Sequence, residues 1–288
     1  MEISEVTKSF GKLKALDSVS ISNISGVHCL VGENGAGKTT LLRILATVLE
    51  KDSGNISHND LLWDNVKEVK KNIGYLPQNF GMYRTLSVRE ALEHIAILKR
   101  VKGDIKEAVT KVIKQVNLEE KTDEKVGTLS GGMVRRLGIA QALLGDPEIL
   151  IVDEPTSGLD PEERMRFRLL LRELGNQRTV LFSTHIVDDA ETVCDRMTVL
   201  HKGRVIMTGT CEEIRQAASG RIWEVMTIND RSSESIRDSY VTARKAMGNS
   251  CMLRMISEKN PGNGAVQAEP TLEEGYLYLI RRKDTTGK

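Results

Sequence analysis

Apolar positions along this chain switch repeatedly between a strand-like and a helix-like spacing. Ile3 to Ser22 reads as short strands around a turn at Ser9-Phe10-Gly11-Lys12. Gly26 to Val31 is apolar almost throughout, as expected of a buried strand. Thr40 to Ala46 has helical spacing, followed by a turn at Asp52-Ser53-Gly54-Asn55 and a short polar helix from Val66 to Lys71. A strand from Asn72 to Leu76 stops at Pro77, which cannot continue a central strand, so Gln78 begins a loop. Ser87 to Val101 predicts a helix: Ser87 caps it, Glu90 completes a capping box, and Leu92, Ile95, Ala96 and Leu98 form its apolar face. Asp104 to Val116 repeats the type, with Ile105, Ala108, Val109, Val112, Ile113 and Val116 at helical spacing. A third helix is expected from Met133 to Leu144. Strands dominate on both sides, so residues 86–145 read as a helical insertion.

Beyond it, Glu148 to Val152 is a continuous apolar run, as in the central strand of a parallel sheet. Pro161 starts a helix to about Leu174, Thr179 to Ser183 is another buried strand, and Met197 to Met207 a hairpin turning at Lys202-Gly203. After Thr208-Gly209-Thr210 the pattern changes. A short helix from Glu212 to Ala218 and a linker at Ser219-Gly220 lead to strands near Ile222–Thr227, Tyr240–Ala246 and Met252–Ser257. A turn at Asn260-Pro261-Gly262-Asn263-Gly264 precedes a last helix from Thr271 to Ile280. The expected fold is α/β in two parts, 1–211 and a small α+β appendage over 212–288. The 288 residues are enough for two domains.

Composition removes several function classes. Lys and Arg total 41 against 40 Asp and Glu, and no stretch is basic enough for a nucleic-acid footprint, so no nucleic-acid partner is expected. The four cysteines, Cys29, Cys194, Cys211 and Cys251, are scattered without a CxxC pair. A reduced, cytosolic chain is expected rather than a disulfide scaffold or a zinc site. No run approaches the roughly 18 apolar residues of a membrane span, and Met1 to Glu5 is no signal peptide. Work at a membrane would need another chain to supply the span.

The chemistry gathers at strand ends. Val31 to Leu42 reads VGENGAGKTTLL, a complete phosphate-binding loop between strand and helix. Asn34, Gly35, Ala36, Gly37, Lys38, Thr39 and Thr40 form the expected cradle. Backbone N–H groups point at phosphate, Lys38 reaches the β/γ-phosphates, and the Thr39 hydroxyl can ligate Mg²⁺. The chain is therefore expected to bind a nucleoside triphosphate. Asp153-Glu154 ends an apolar strand where α/β proteins place their ligands. The first carboxylate suits Mg²⁺, and the second can orient and deprotonate water. Other residues leave alternatives open. Phe10 either stacks on a purine or covers a β-core; Gln78 offers an oxygen to Mg²⁺ or to water. His185 reaches a γ-phosphate or is a satisfied core histidine. Thr128-Leu129-Ser130-Gly131-Gly132 starts a helix that is either a second anion-binding end or simply capped. Asp188, Asp189 and Glu191 complement a helix dipole and need no further role.

Taken together, these motifs resemble those of the ATP-binding cassette (ABC) transporter ATPases over about residues 2–210. GENGAGKT at 32–39 is similar to their Walker A motif, Gln78 to the Q-loop and LSGGM at 129–133 to the signature. ILIVDE at 149–154 is similar to Walker B, SGLD at 157–160 to the D-loop, and His185 to the switch histidine. The resemblance implies a P-loop NTPase (RecA-like) core with an antiparallel β subdomain and a helical subdomain, using ATP and Mg²⁺. It makes Phe10 the adenine-stacking aromatic and Glu154, His185 and Gln78 the catalytic set, with Thr39, Gln78 and Asp153 around the metal. It also implies an ATP sandwich, in which Ser130, Gly131, Gly132 and Asp160 face the nucleotide of a second subunit. A homodimer is expected because both half-sites are present, with a heterodimer as the alternative. Phe80 to Arg84 would receive a polytopic membrane (permease) subunit, at the cytoplasmic face of a bacterial membrane. Met133 departs from the family's usual Gln and is not counted as a polar ligand. LSGGM with Arg135-Arg136-Leu137-Gly138, and the C-terminal PTLEEGYLYLI, resemble bacterial exporters of drugs, antibiotics or peptides. An importer ATPase is the alternative. A soluble non-transport cassette would usually carry two cassettes or a long coiled-coil insertion, and neither is present.

Overall fold

Val27–Val31 (β3) is buried at every residue because it runs through the interior of a six-stranded sheet. Residues 1–227, 239–248, 250–262 and 264–286 of the computed structural model are described below; Asn263 of the expected turn lies outside them. The other strands of that sheet are β6 (Ile73–Leu76), β7 (Ile149–Val152), β8 (Thr179–Thr184), β9 (Arg196–His201) and β10 (Arg204–Gly209). Their order is β10-β9-β3-β8-β7-β6, and the pairs from β9 to β6 are parallel. A parallel sheet needs crossover connections and both faces covered, which explains why β3, β7 and β8 are buried at every residue.

A second sheet is antiparallel where its pairing is resolved, with β1 (Glu2–Phe10), β2 (Leu13–Ile21), β4 (Ser53–His58) and β5 (Leu61–Leu62) in the order β2-β1-β4-β5. Here the expected turn at Asp52–Asn55 is corrected: the chain enters β4 at Ser53. Pairing with distant β1 overrode the local turn signal. Ile3, Val6, Leu16 and Ile56 of this sheet pack with Leu41, Leu42 and Leu45 of α1 (Lys38–Leu45) in one core. Between α1 and β6, α2 (Val66–Asn72) is capped by the Asn65 side chain.

Three α-helices lie between β6 and β7: α3 (Val88–Leu98), α4 (Ile105–Gln115) and α5 (Gly131–Leu143). The Ser87–Glu90 capping box forms as expected. Leu98 does not join the apolar face; it is 65% exposed, since α3 buries Val88, Ala91, Leu92 and Ala96 instead. Helix α5 starts at Gly131 rather than Met133, because the Ser130 hydroxyl already accepts from Met133 N. Helices α6 (Pro161–Gly175) and α7 (Val187–Val193) follow β7 and β8.

The chain divides into two compact units, Met1–Val205 and Ile206–Lys288, so the division falls inside β10. The second unit contains β11 (Ile222–Thr227), β12 (Tyr240–Met247), β13 (Ser250–Ile256) and β14 (Val266–Gln267), in the order β12-β13-β11-β14. Helices α8 (Cys211–Gln216) and α9 (Leu272–Thr286) accompany it, α9 running past the expected end at Ile280. Arg254 on β13 is held by Glu274 of α9 at 2.7 Å and by Glu224 of β11 at 2.8 Å.

Candidate functional site

Between β3 and α1 the chain folds back over residues 32–37 and leaves the first N–H groups of α1 without helical partners. Gly37 is the N-cap, at φ 106°. The loop is braced from outside. Gly203 N donates to Ala36 O at 3.0 Å, and a Cβ at Gly32 would lie 2.4 Å from Leu200 O. The turn between β9 and β10 is therefore a wall of the phosphate loop, a role that its sequence, read as a hairpin, does not reveal. Asn34 and Gly35 are exposed at the loop tip, whereas Ala36 is buried.

Lys38 is 4% exposed, its Nζ donating to Gly32 O at 2.7 Å and Glu33 O at 3.2 Å. Burial pulls its pKa below the ordinary lysine range, and the Glu154 carboxylate 3.5 Å away pushes it back up. That ion pair compensates the charge of the Glu154 carboxylate. Its Oε2 also meets Gln78 Nε2 at 3.3 Å and His185 Nδ1 at 3.4 Å. Lys38, Gln78 and His185 come from three separate segments of the chain and converge on the Glu154 carboxylate.

Asp153 is 1% exposed and organised differently. Its Oδ1 accepts from Ser183 Oγ at 2.6 Å and Thr39 Oγ1 at 3.2 Å, while Oδ2 is buried with no hydrogen-bond partner. A buried carboxylate oxygen left unpaired is costly unless something positive sits against it. Beside the Thr39 hydroxyl, that orphan suits Mg²⁺. Ser183 does double duty, its Oγ accepting from Glu154 N at 2.9 Å. Glu154 has φ 45°, a left-handed conformation that a non-glycine residue keeps only when neighbours hold it.

Other expected residues lie apart from this cluster: among the described residues no hydrogen bond or ion pair joins them to it. Phe10, at the end of β1, is 49% exposed, with Lys8 Nζ 5.8 Å from its ring centroid. Ser130 and Gly131 are exposed at the start of α5, and Gly132 is packed against the Glu163 carboxylate. Asp160 caps α6, accepting from Glu163 N at 2.9 Å. Thr40 is half-buried in the first turn of α1. The loop after Gln78 is tied to α5: Arg135 Nη1 donates to Gln78 O at 2.5 Å, and Phe80 lies against Gly138. Within the segment Phe80 to Arg84, Tyr83 is 63% exposed.

Sequence reasoning missed Ser183 and Asp189. Ser183 carried no signal beyond its place at a strand end. Asp189, read as a helix-dipole acid, is 1% exposed. Its spacing from the apolar Val187, Ala190 and Val193 on the same short helix was the available hint.

Comparison with known proteins agrees with this geometry. Residues 18–157 match the ABC transporter family model. The chain is 38% identical over 282 residues to the uncharacterized ABC transporter ATP-binding protein YxlF of Bacillus subtilis, covering 97% of this chain and 90% of that one. It is 32% identical to Nod factor export ATP-binding protein I of a Rhizobium species, covering 98% and 97%. The ATP-binding cassette MJ0796, solved as a dimer in a post-hydrolysis state with ADP and Pi, superposes with a TM-score of 0.62 at 28% identity, over 73% of this chain and 97% of that one. Because the relatives align along nearly their whole length, and not only through the phosphate loop, the chain belongs to the ATP-binding proteins of the ABC transporter family.

Proposed function

We propose that this chain is the ATPase subunit of a bacterial exporter, hydrolysing ATP with Glu154 as general base. ATP binding and hydrolysis go with the family; the assignment of roles rests on the convergence of Lys38, Gln78 and His185 on Glu154. In this arrangement Lys38 exchanges Glu154 for the more highly charged β/γ-phosphates when nucleotide enters. Glu154 is then free to take a proton from the attacking water. Gln78 and His185 hold that carboxylate and the water in line, and the N–H groups of residues 34–40 cradle the phosphates. Thr39 and Asp153 would hold Mg²⁺, with Gln78 at its edge. Bound there, the ion would neutralise charge developing on the phosphoryl oxygens.

The remaining parts follow from the same reading. Phe10 stacks on adenine. Ser130, Gly131, Gly132 and Asp160 close on the ATP of a second copy, a homodimer being sufficient. The structure of MJ0796 is dimeric. Residues 80–84 receive a membrane subunit; no helix among the described residues is itself long and apolar enough to cross a membrane. In this reading the chain works at the cytoplasmic face of the membrane. Export follows the relative named for Nod factor export. The working division remains 1–211 and 212–288, with the helical part over 86–145, since β10 belongs to the six-stranded sheet through Gly209.

Glu154→Gln tests the central claim. Turnover should fall ~10²–10⁴-fold, about 3–5 kcal/mol of barrier. ATP affinity should hold or improve, since an anion beside the triphosphate is removed. Turnover near that of the unmodified protein would refute the assignment.

A further inference from the structure

We propose that Asp189 is a positioning residue for hydrolysis, locking the loop that leaves Glu154 to the strand end that carries His185. The inference rests on the roles of Glu154 and His185 proposed above. Asp189 Oδ2 accepts from Thr156 Oγ1 at 2.5 Å and from Thr184 Oγ1 at 3.4 Å. Its Oδ1 accepts from Arg168 Nε at 2.7 Å and from Arg168 Nη2. Thr156 is two residues past Glu154, and Thr184 immediately precedes His185. Arg168 lies on α6, whose N-cap is Asp160. One buried carboxylate thus ties together the segments that carry the base and the histidine, and the helix that follows the 157–160 loop.

The need for such a tie is visible at Glu154. Its left-handed backbone is held upstream by the Ser183 hydroxyl on its N–H. Downstream, Ser157 N reaches Glu154 O at a long 3.4 Å, so the firm anchor on that side is Thr156 on Asp189. Thr184 is constrained from the other direction, its hydroxyl also accepting from Ile186 N at 3.0 Å. Burying a carboxylate and a guanidinium adds little net stability over apolar residues of similar size. What the pair supplies is geometry: two threonine hydroxyls and an arginine fork on one fixed group. A shift of about 1 Å in a reacting group can cost on the order of 10²-fold in rate. The effect of loosening the tie should therefore fall on turnover.

The test uses the full chain, with ATP binding measured by equilibrium titration, hydrolysis by phosphate release and folding by thermal melting. Asp189→Asn should lower kcat about 10- to 100-fold, with ATP affinity changed less than about threefold. Thr156→Val should lower kcat in the same direction, and Thr156→Ser, which keeps the hydroxyl, should restore it. The double variant should fall short of the product of the two single effects, because both break one contact. If Asp189→Asn does not fold, the Thr156→Val and Thr156→Ser pair decides. Wild-type kcat in a folded Asp189→Asn or Thr156→Val chain, while Glu154→Gln is inactive, would overturn the role of Asp189 alone. Affinity and kcat falling together with the melting temperature would also overturn it, by reducing Asp189 to a fold-stabilising residue. An active Glu154→Gln would instead overturn the base assignment.

Discussion

Gly35 and Gly37 lie two residues apart in the phosphate loop, both at positive φ (83° and 106°), yet alanine should be tolerated very differently at each. A Cβ at Gly35 meets nothing within 4 Å. Gly35→Ala therefore costs only backbone strain, about 1–2 kcal/mol. At Gly37 a Cβ would lie 2.7 Å from Ala15 O and 2.9 Å from Leu16 Cδ2. Neither neighbour can retreat: Ala15 O is backbone of β2, and Leu16 is fully buried. Strain of about 1–3 kcal/mol is joined by overpacking of about 1–3 kcal/mol. Gly37→Ala should thus lose ~2–6 kcal/mol, a large part of the ~5–15 kcal/mol that holds a typical domain together. The assay is urea unfolding of the nucleotide-free protein, followed by tryptophan emission. Trp63 is buried in the first unit, its indole N–H donating to Leu45 O at 3.0 Å, and Trp223 lies in the second. A Trp223→Phe background confines the signal to the unit that contains the loop. Equal midpoints for the two glycine variants would refute the reasoning, by showing that β2 and the loop are not interlocked.

Three further outcomes are expected. Phe10→Ala should weaken ATP binding ~5- to 150-fold through the loss of about 1–3 kcal/mol of stacking, with hydrolysis at saturating ATP little changed; unaltered affinity would return Phe10 to a purely structural role. His28 is fully buried, with Nε2 2.8 Å from Thr198 Oγ1, and burial above all pushes its pKa down to about 4. The unfolded chain takes up this proton below about 6.5 and the folded chain only below about 4, so the stability contribution is complete above pH 6.5 and is lost on going down to 4, by ~3 kcal/mol. Urea midpoints across that window should flatten in His28→Leu, and an unchanged slope would exclude His28 as the source. Finally, Lys38→Ala and Gly131→Asp chains, each inactive alone, should regain activity when mixed, since a mixed dimer holds one intact site; random pairing leaves about a quarter of sites competent at most. Open space at Gly131 means that the aspartate is accommodated without a clash. A Gly131→Asp chain hydrolysing at the unmodified rate would count against a site shared between subunits.

Much of this protein is legible without coordinates because its signals are local. The Ser87–Glu90 box, the apolar β3 and β7, and the run from Gly32 to Thr39 each depend on residues a few positions apart, where spacing and backbone chemistry act directly. Strand ends also announced Asp153, Glu154 and His185 as candidates, since a parallel sheet gathers its carboxyl ends along one edge. Tertiary structure decided the rest. Ser53 belongs to a strand because β1 is there to pair with it, and Leu98 faces solvent because α3 turns a different stripe inward. Gly203 braces Ala36 across 167 residues of chain, and Asp189 reaches Thr156 across 33. No window of sequence contains both partners of such a contact. An acid in the first turn of a helix looks the same whether it faces water or a half-buried arginine. Only packing, which removes one face of that helix from solvent and brings Arg168 against it, separates a solvated charge from a structural hub.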